Sequence, residues 1–318
     1  MERRRLGPTG MHLGVVGLGT ATWGRGTDRE EAADQVGLLL DAGGNLIDIA
    51  AGGPASDFAR QSLADPGVRR EAIVNVRVSA DNAQRGLISA LDEAIEAMGI
   101  GHADIWTVEG WAPHSPWQEI VTSFAVAVST GRTRYAGICP GAPWQAALVG
   151  AALDSQPDRS TLAVITTALN LLDHAAARPM RDVAAALGAG IFAAWPLAGG
   201  VLTGKYRHAT PPDSRGAGER YAARMHAYRS ASSWPIVDGL CAAAEGLGAS
   251  PGAIALAWVR DQPGVTSSLV GARTPHQWRA ALASTEVTLP PEIRLALDEV
   301  ADGASHLSHD GTTGAVPA

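Results

Sequence analysis

The 318-residue chain is poor in cysteine, in tyrosine and phenylalanine, and in positive charge. Its 2 cysteines, Cys139 and Cys241, cannot build a disulfide framework or a four-thiolate zinc site. The 25 Lys+Arg are outnumbered by 32 Asp+Glu, a net charge of −7. That acidic balance argues against nucleic acid as a partner, which needs concentrated positive charge. No apolar run approaches the ~20 residues of a membrane-spanning helix, so no membrane partner is expected. Met1-Glu2-Arg3-Arg4-Arg5 is not followed by an apolar signal core. The 9 histidines show no metal-ligand spacing, so no metal is expected; His114, His174, His208 and His226 are placed in exposed loops or helix ends. A soluble cytoplasmic protein handling a small-molecule substrate is the expectation, with oligomeric state left open.

Short apolar runs alternate with longer amphipathic stretches. Val15–Gly19, Asn45–Ala50, Ala72–Val78, Ala103–Val108, Thr133–Ile138, Leu162–Thr167, Gly190–Trp195 and Val265–Val270 read as strands covered on both faces. Asp28 is the expected N-cap of a helix over 29–42, stopped by Gly43-Gly44, and Asn82 that of a helix over 83–98. Further helices are expected near 116–129, 143–153, 177–187, 251–261 and 275–284. Eight strands alternating with helices predict one (β/α)8 TIM barrel over residues 1–302. A doubly wound open sheet competes, but Gly17-Leu18-Gly19-Thr20-Ala21-Thr22 lacks the third glycine of the dinucleotide fingerprint. Residues 205–233 form a long connection after the seventh strand, suited to a lid. Its arginine-containing part, 215–229, reads as solvated, with cover for a bound anion as the alternative. Residues 303–318 read as a disordered tail.

Four motifs in order resemble the aldo-keto reductase family. They are Arg4-Arg5-Leu6-Gly7-Pro8-Thr9-Gly10 with Gly17-Leu18-Gly19-Thr20, then Asp41-Ala42-Gly43-Gly44-Asn45-Leu46-Ile47-Asp48, then Pro196-Leu197 through Lys205-Tyr206, then Gly271-Ala272-Arg273 with Gln277. The resemblance implies an N-terminal hairpin closing the barrel bottom, NADP(H) as cofactor, and an Asp, Tyr, Lys, His tetrad in which Tyr gives a proton to a carbonyl. Carried over by position, Asp is kept as Asp48, Tyr falls on Gly53, Lys on Arg77 and His on Glu109. The family's nicotinamide contacts fall on Cys139, Pro140, Thr166 and Ala194, all changed. The phosphate end fares better: Leu197, Gly199, Leu202, Gly204 and Lys205 match the pyrophosphate loop, and Gly271, Arg273 and Gln277 the 2′-phosphate and adenine segment.

Glycine has no proton to give, and arginine stays charged at any working pH. The leading expectation is therefore non-redox acid–base catalysis (a lyase, isomerase or cyclase on a small, aromatic, biosynthetic substrate), with Glu109 moving the proton, Arg77 stabilising an anion and Asp48 holding Arg77. Burial and Asp48 would raise the pKa of Glu109, and Arg77 would lower it. Two alternatives stay open: an NADPH-dependent carbonyl oxidoreductase with a displaced proton donor, and a catalytically silent protein that binds a ligand or NADP(H), the cofactor then being vestigial or structural. A plain Asp48–Arg77 ion pair is the structural alternative for those two residues. Of the 9 tryptophans, Trp23, Trp111 and Trp195 are expected to wall a substrate pocket, and Trp106, Trp144, Trp258 and Trp278 to pack.

Overall fold

A computed structural model describes residues 1–82, 86–111, 117–156, 160–212 and 214–305. A short antiparallel hairpin comes first, β1 (Arg3–Arg5) against β2 (His12–Gly14). Then β3 (Val16–Gly19), β4 (Leu46–Ala50), β5 (Ile73–Ser79), β6 (Ala103–Glu109), β7 (Thr133–Cys139), β8 (Leu162–Ala168), β9 (Gly190–Ala194) and β10 (Val265–Val270) pair in chain order, all parallel. β10 closes on β3, so the sheet is a barrel with no edge. The expected (β/α)8 barrel with an N-terminal hairpin is what the chain forms.

The hairpin plugs the barrel bottom. Leu6, Met11 and Leu13 pack with Leu46, Ile105, Val164, Phe192 and Leu269 in one apolar cluster. Gly7 permits this approach: at φ +45°, a Cβ there would lie 2.9 Å from the carbonyl oxygens of Ala163 and Gly188. Arg4 fastens the plug by donating from Nη1 to the Val265 carbonyl at 3.1 Å.

The helices are α1 (Arg29–Asp41), α2 (Gly53–Ser62), α3 (Pro66–Glu71), α4 (Leu87–Met98), α5 (Trp117–Ser129), α6 (Pro143–Asp154), α7 (His174–Leu187), α8 (Ala222–Tyr228), α9 (Trp234–Leu247), α10 (Pro251–Arg260), α11 (Pro275–Ala283) and α12 (Pro291–Ser305). Asp28 caps α1 in a reciprocal box with Glu31. Asn82 does not cap α4; it ends a 3₁₀ turn, and α4 starts after Gly86, whose φ of +95° breaks the chain direction. Residues 83–85 lie outside the described residues. α2 was hidden in Gly52-Gly53-Pro54, which looks like a helix breaker. Gly52 turns the chain at φ +96°, and Pro54 sits in the first turn, where its missing N–H costs nothing. α12 carries order through residue 303 to Ser305, and the rest of the expected tail, 306–318, lies outside the described residues. Among the described residues, no single helix is long and apolar enough to cross a membrane.

Candidate active site

Barrel register brings the altered tetrad positions together. Asp48 pairs with Asn75, Ala50 with Arg77, and Ser79 with Glu109, so Asp48, Arg77 and Glu109 climb toward the C-terminal mouth on three adjacent strands. Arg77 lies between the two acids. Its Nη2 is 3.3 Å from Asp48 Oδ2 and its Nη1 donates to Glu109 Oε1 at 3.0 Å. Asp48 and Glu109 are 2% and 5% exposed. Beneath them, Thr107 Oγ1 donates to Asn75 Oδ1 at 2.8 Å and Asn75 Nδ2 donates to Asp48 Oδ1 at 2.7 Å. This chain fixes the Asp48 carboxylate from below, so the expected ion pair is present as part of a wider network.

Electrostatics follow from burial. Burial opposes charge on Arg77, but Asp48 and Glu109 outweigh it and hold its pKa above the ordinary value. For Glu109, burial and Asp48 together prevail over Arg77 and raise the pKa. Cys139 is pushed up to about 12, by burial first and then by Glu109. It stays a thiol at neutral pH and is no nucleophile. The Nε of Arg77 is buried and has no hydrogen-bond partner among the described residues.

A cavity of about 660 Å³ opens beside Asp48 and Arg77. It runs past Gly53 and Trp195 to Lys205, Arg215, Tyr221, Arg273 and Gln277. Arg25, Arg77, Lys205, Arg215 and Arg273 face it, against Asp48 as the one lining carboxylate among the described residues. A cavity so positive in a chain of net charge −7 attracts anions. Lys205 is the chain's only lysine. The N-termini of α10 and α11 also open onto the cavity through Ser250–Ala253 and through His276 and Gln277, adding their dipoles to the same end. Backbone there approaches closely: Gly200 has φ +96°, and a Cβ on it would lie 2.8 Å from Lys205 Cε. A Cβ on Gly271 would lie 3.2 Å from Arg215 Nη2.

The other expected site residues divide. Leu197 and Gly199 line the cavity, whereas Leu202 is buried in the core and Gly204 caps the loop at φ +77°. Gln277 lines the cavity, yet its Oε1 accepts from the Arg273 N–H at 3.0 Å and so ties the loop to α11, whose N-cap is Thr274. Trp23 lines the wall with its Nε1–H donated to Gln35 Oε1 at 2.9 Å. Trp195 lines it in a left-handed backbone conformation, φ +54°, which costs a non-glycine residue about 1–2 kcal/mol. Trp111 does not line this cavity. It stands edge-on to Trp144 with ring centres 5.5 Å apart, and Trp144 is 59% exposed rather than packed inside. Trp106, Trp258 and Trp278 are buried as expected. His174 is 7% exposed, not solvated, because its ring packs edge-on against Trp258. His114 lies outside the described residues. At Gly53, φ is +60° and nothing lies within 4 Å of where a Cβ would stand.

Arg25, Arg215 and Tyr221 were not anticipated. Arg215 departs from the solvated-lid expectation: it is partly buried and sits over the rings of Trp195 and Tyr221 at 5.6 and 5.9 Å. Burial, with the like charge of Arg273, depresses its pKa despite Tyr221 and Tyr206. The only signal in the sequence was an arginine cluster in a long connection.

Residues 15–302 match the Aldo/keto reductase family model. The chain is 28% identical to the uncharacterized oxidoreductase YrpG of Bacillus subtilis (strain 168), an alignment covering 95% of this chain and 97% of that protein. It is 26% identical to L-glyceraldehyde 3-phosphate reductase of Escherichia coli O157:H7, covering 96% and 94%. A probable voltage-gated potassium channel subunit beta of Oryza sativa subsp. japonica is also 26% identical, covering 92% and 94%.

Proposed function

Because the chain belongs to the aldo/keto reductase family, we propose that it binds NADP(H) in the cationic cavity and acts as an oxidoreductase on a small carbonyl or alcohol substrate. One observation carries this: the cavity that reaches Asp48 and Arg77 is continuous with the one lined by Lys205, Arg215, Arg273 and two helix N-termini. The residues present fit a dinucleotide, since Gly200 and Gly271 put bare backbone beside the cationic ends of Lys205 and Arg215. Lys205, Arg215 and Arg273 would hold its phosphates, and the bound cofactor supplies or accepts a hydride.

Arg77 does what remains for this chain's own residues at the reacting end. Its place in the cavity lining beside Asp48 supports a role for the guanidinium in binding the substrate oxygen and stabilising negative charge there. Asp48 and Glu109 clamp the guanidinium by its two other nitrogens. Arg77 holds its proton too tightly to act as an acid. The proton for the oxygen then comes from water entering the open space at Gly53. Lack of a positioned acid lowers turnover by about 10²–10⁴-fold.

Non-redox catalysis by Glu109 is supported by its raised pKa but not by its place. Its carboxylate is tied to Arg77 and does not line the cavity. The test is nicotinamide absorbance against a carbonyl panel with wild type and Arg77→Gln. NADPH-dependent turnover that the substitution abolishes supports hydride transfer. Tight NADPH binding without oxidation would instead favour a silent binder. Turnover without nucleotide, lost in Glu109→Gln, would favour the non-redox enzyme.

A further inference from the structure

Trp195 holds a backbone conformation that tryptophan disfavours, and a polar cluster outside the cavity holds it there. Asn170, fully buried in the loop after β8, donates from Nδ2 to the Trp195 carbonyl at 3.0 Å and to Asp173 Oδ2 at 3.0 Å. Its Oδ1 accepts from the N–H groups of Leu172 and Asp173 at 2.8 and 3.1 Å. Tyr228, the last residue of α8, donates its hydroxyl to Asp173 Oδ2 at 2.5 Å. Burial raises the pKa of Asp173, and burial with the Asp173 charge puts Tyr228 well above its ordinary value, so the phenol stays a donor.

The same helix covers the Trp195 ring. Arg224 lies 4.9 Å from its centre, and the Tyr221 and Tyr228 rings lie 5.3 and 6.3 Å away. Gly199 leaves space for the Met225 side chain of α8, since a Cβ there would stand 2.4 Å from Met225 Sδ. One set of hydrogen bonds thus fixes both the strained wall residue and the segment lying over it.

We propose that Asn170, Asp173 and Tyr228 are positioning residues that latch the 205–233 connection onto Trp195 and thereby set how tightly the cavity holds a dinucleotide. The affinity half rests on the function proposed above; the latch itself does not. The test uses the full chain and Tyr228→Phe, Asp173→Ala and Asp173→Asn. Without nucleotide, trypsin should cut within 205–233 at least ~10-fold faster in Tyr228→Phe, relative to sites elsewhere, and the near-ultraviolet dichroism should weaken. Asp173→Ala should behave alike, and Asp173→Asn, which keeps an acceptor oxygen, should restore most of the protection. NADPH titrated against tryptophan fluorescence should bind ~5–10-fold more weakly to Tyr228→Phe. Unchanged cleavage and dichroism in Tyr228→Phe overturn the latch. If Asp173→Ala does not fold, Tyr228→Phe, which loses one hydroxyl, still decides. If wild type shows no NADPH response, the proposed function fails while cleavage and dichroism still judge the latch.

Discussion

Replacing Arg215 by methionine separates a residue kept for the fold from one kept for a ligand. In the free protein the guanidinium is partly desolvated and repelled by Arg273, which together lower its pKa. Those costs oppose its contacts with Trp195 and Tyr221, worth about 0.5–1 kcal/mol each. Methionine keeps the apolar stem, so the terms nearly cancel. Stability should change by less than about 1 kcal/mol, a melting shift of at most ~3 °C. With NADPH bound, the lost charge-assisted hydrogen bonds cost about 2 kcal/mol, or ~30-fold in Kd. Tryptophan fluorescence titration at low and high ionic strength reads both effects. Wild-type affinity should fall with salt more steeply than the variant's, because one cation less is screened. A Kd within ~2-fold of wild type at low salt, alongside a large loss of melting temperature, would refute the reasoning and make Arg215 a structural residue.

Arg77→Met leaves Asp48 and Glu109 buried without their cation and should cost about 3–5 kcal/mol in urea unfolding, whereas Arg77→Lys should cost less. Glu109 holds its proton more tightly in the folded chain than its ordinary value of 4.5 implies. Its contribution to stability is therefore full below that value and is lost as pH climbs through the raised one. Wild type should accordingly lose stability relative to Glu109→Gln as pH rises from the ordinary carboxylate value of 4.5 through the raised one, and parallel curves would contradict the assignment. Gly53→Ala should lose about 1–2 kcal/mol although the space is open, because φ is +60° there; an unchanged melting temperature would mean the backbone relaxes freely.

The barrel was legible because its strands are buried on both faces and several read as unbroken apolar runs, such as Val16–Gly19 and Gly190–Ala194. Asp48, Arg77 and Glu109 were legible because the family resemblance marks their positions, and strand order and register bring those positions together. Arg215 and Tyr221 were not, since a long connection has no periodicity to fix where it returns. α2 was missed because the residues that start it, Gly52-Gly53-Pro54, are also the residues of turns. Trp144 was read as core from its type, and only the direction of α6 exposes it. Leu202 and Gly204 share a loop with the cavity-lining Leu197, Gly199 and Lys205, and a motif does not say which of its members look inward.

Having Lys205 as the chain's only lysine has a practical consequence at the bench. Dyes, biotin tags and surface chemistries that couple to ε-amines have one side chain to find, and it lines the cavity. The competing α-amine of Met1 is tethered to the Ala42 carbonyl at 2.9 Å. Conjugates made this way would carry their label where the nucleotide is expected, so attachment should go through an engineered residue on a distant helix.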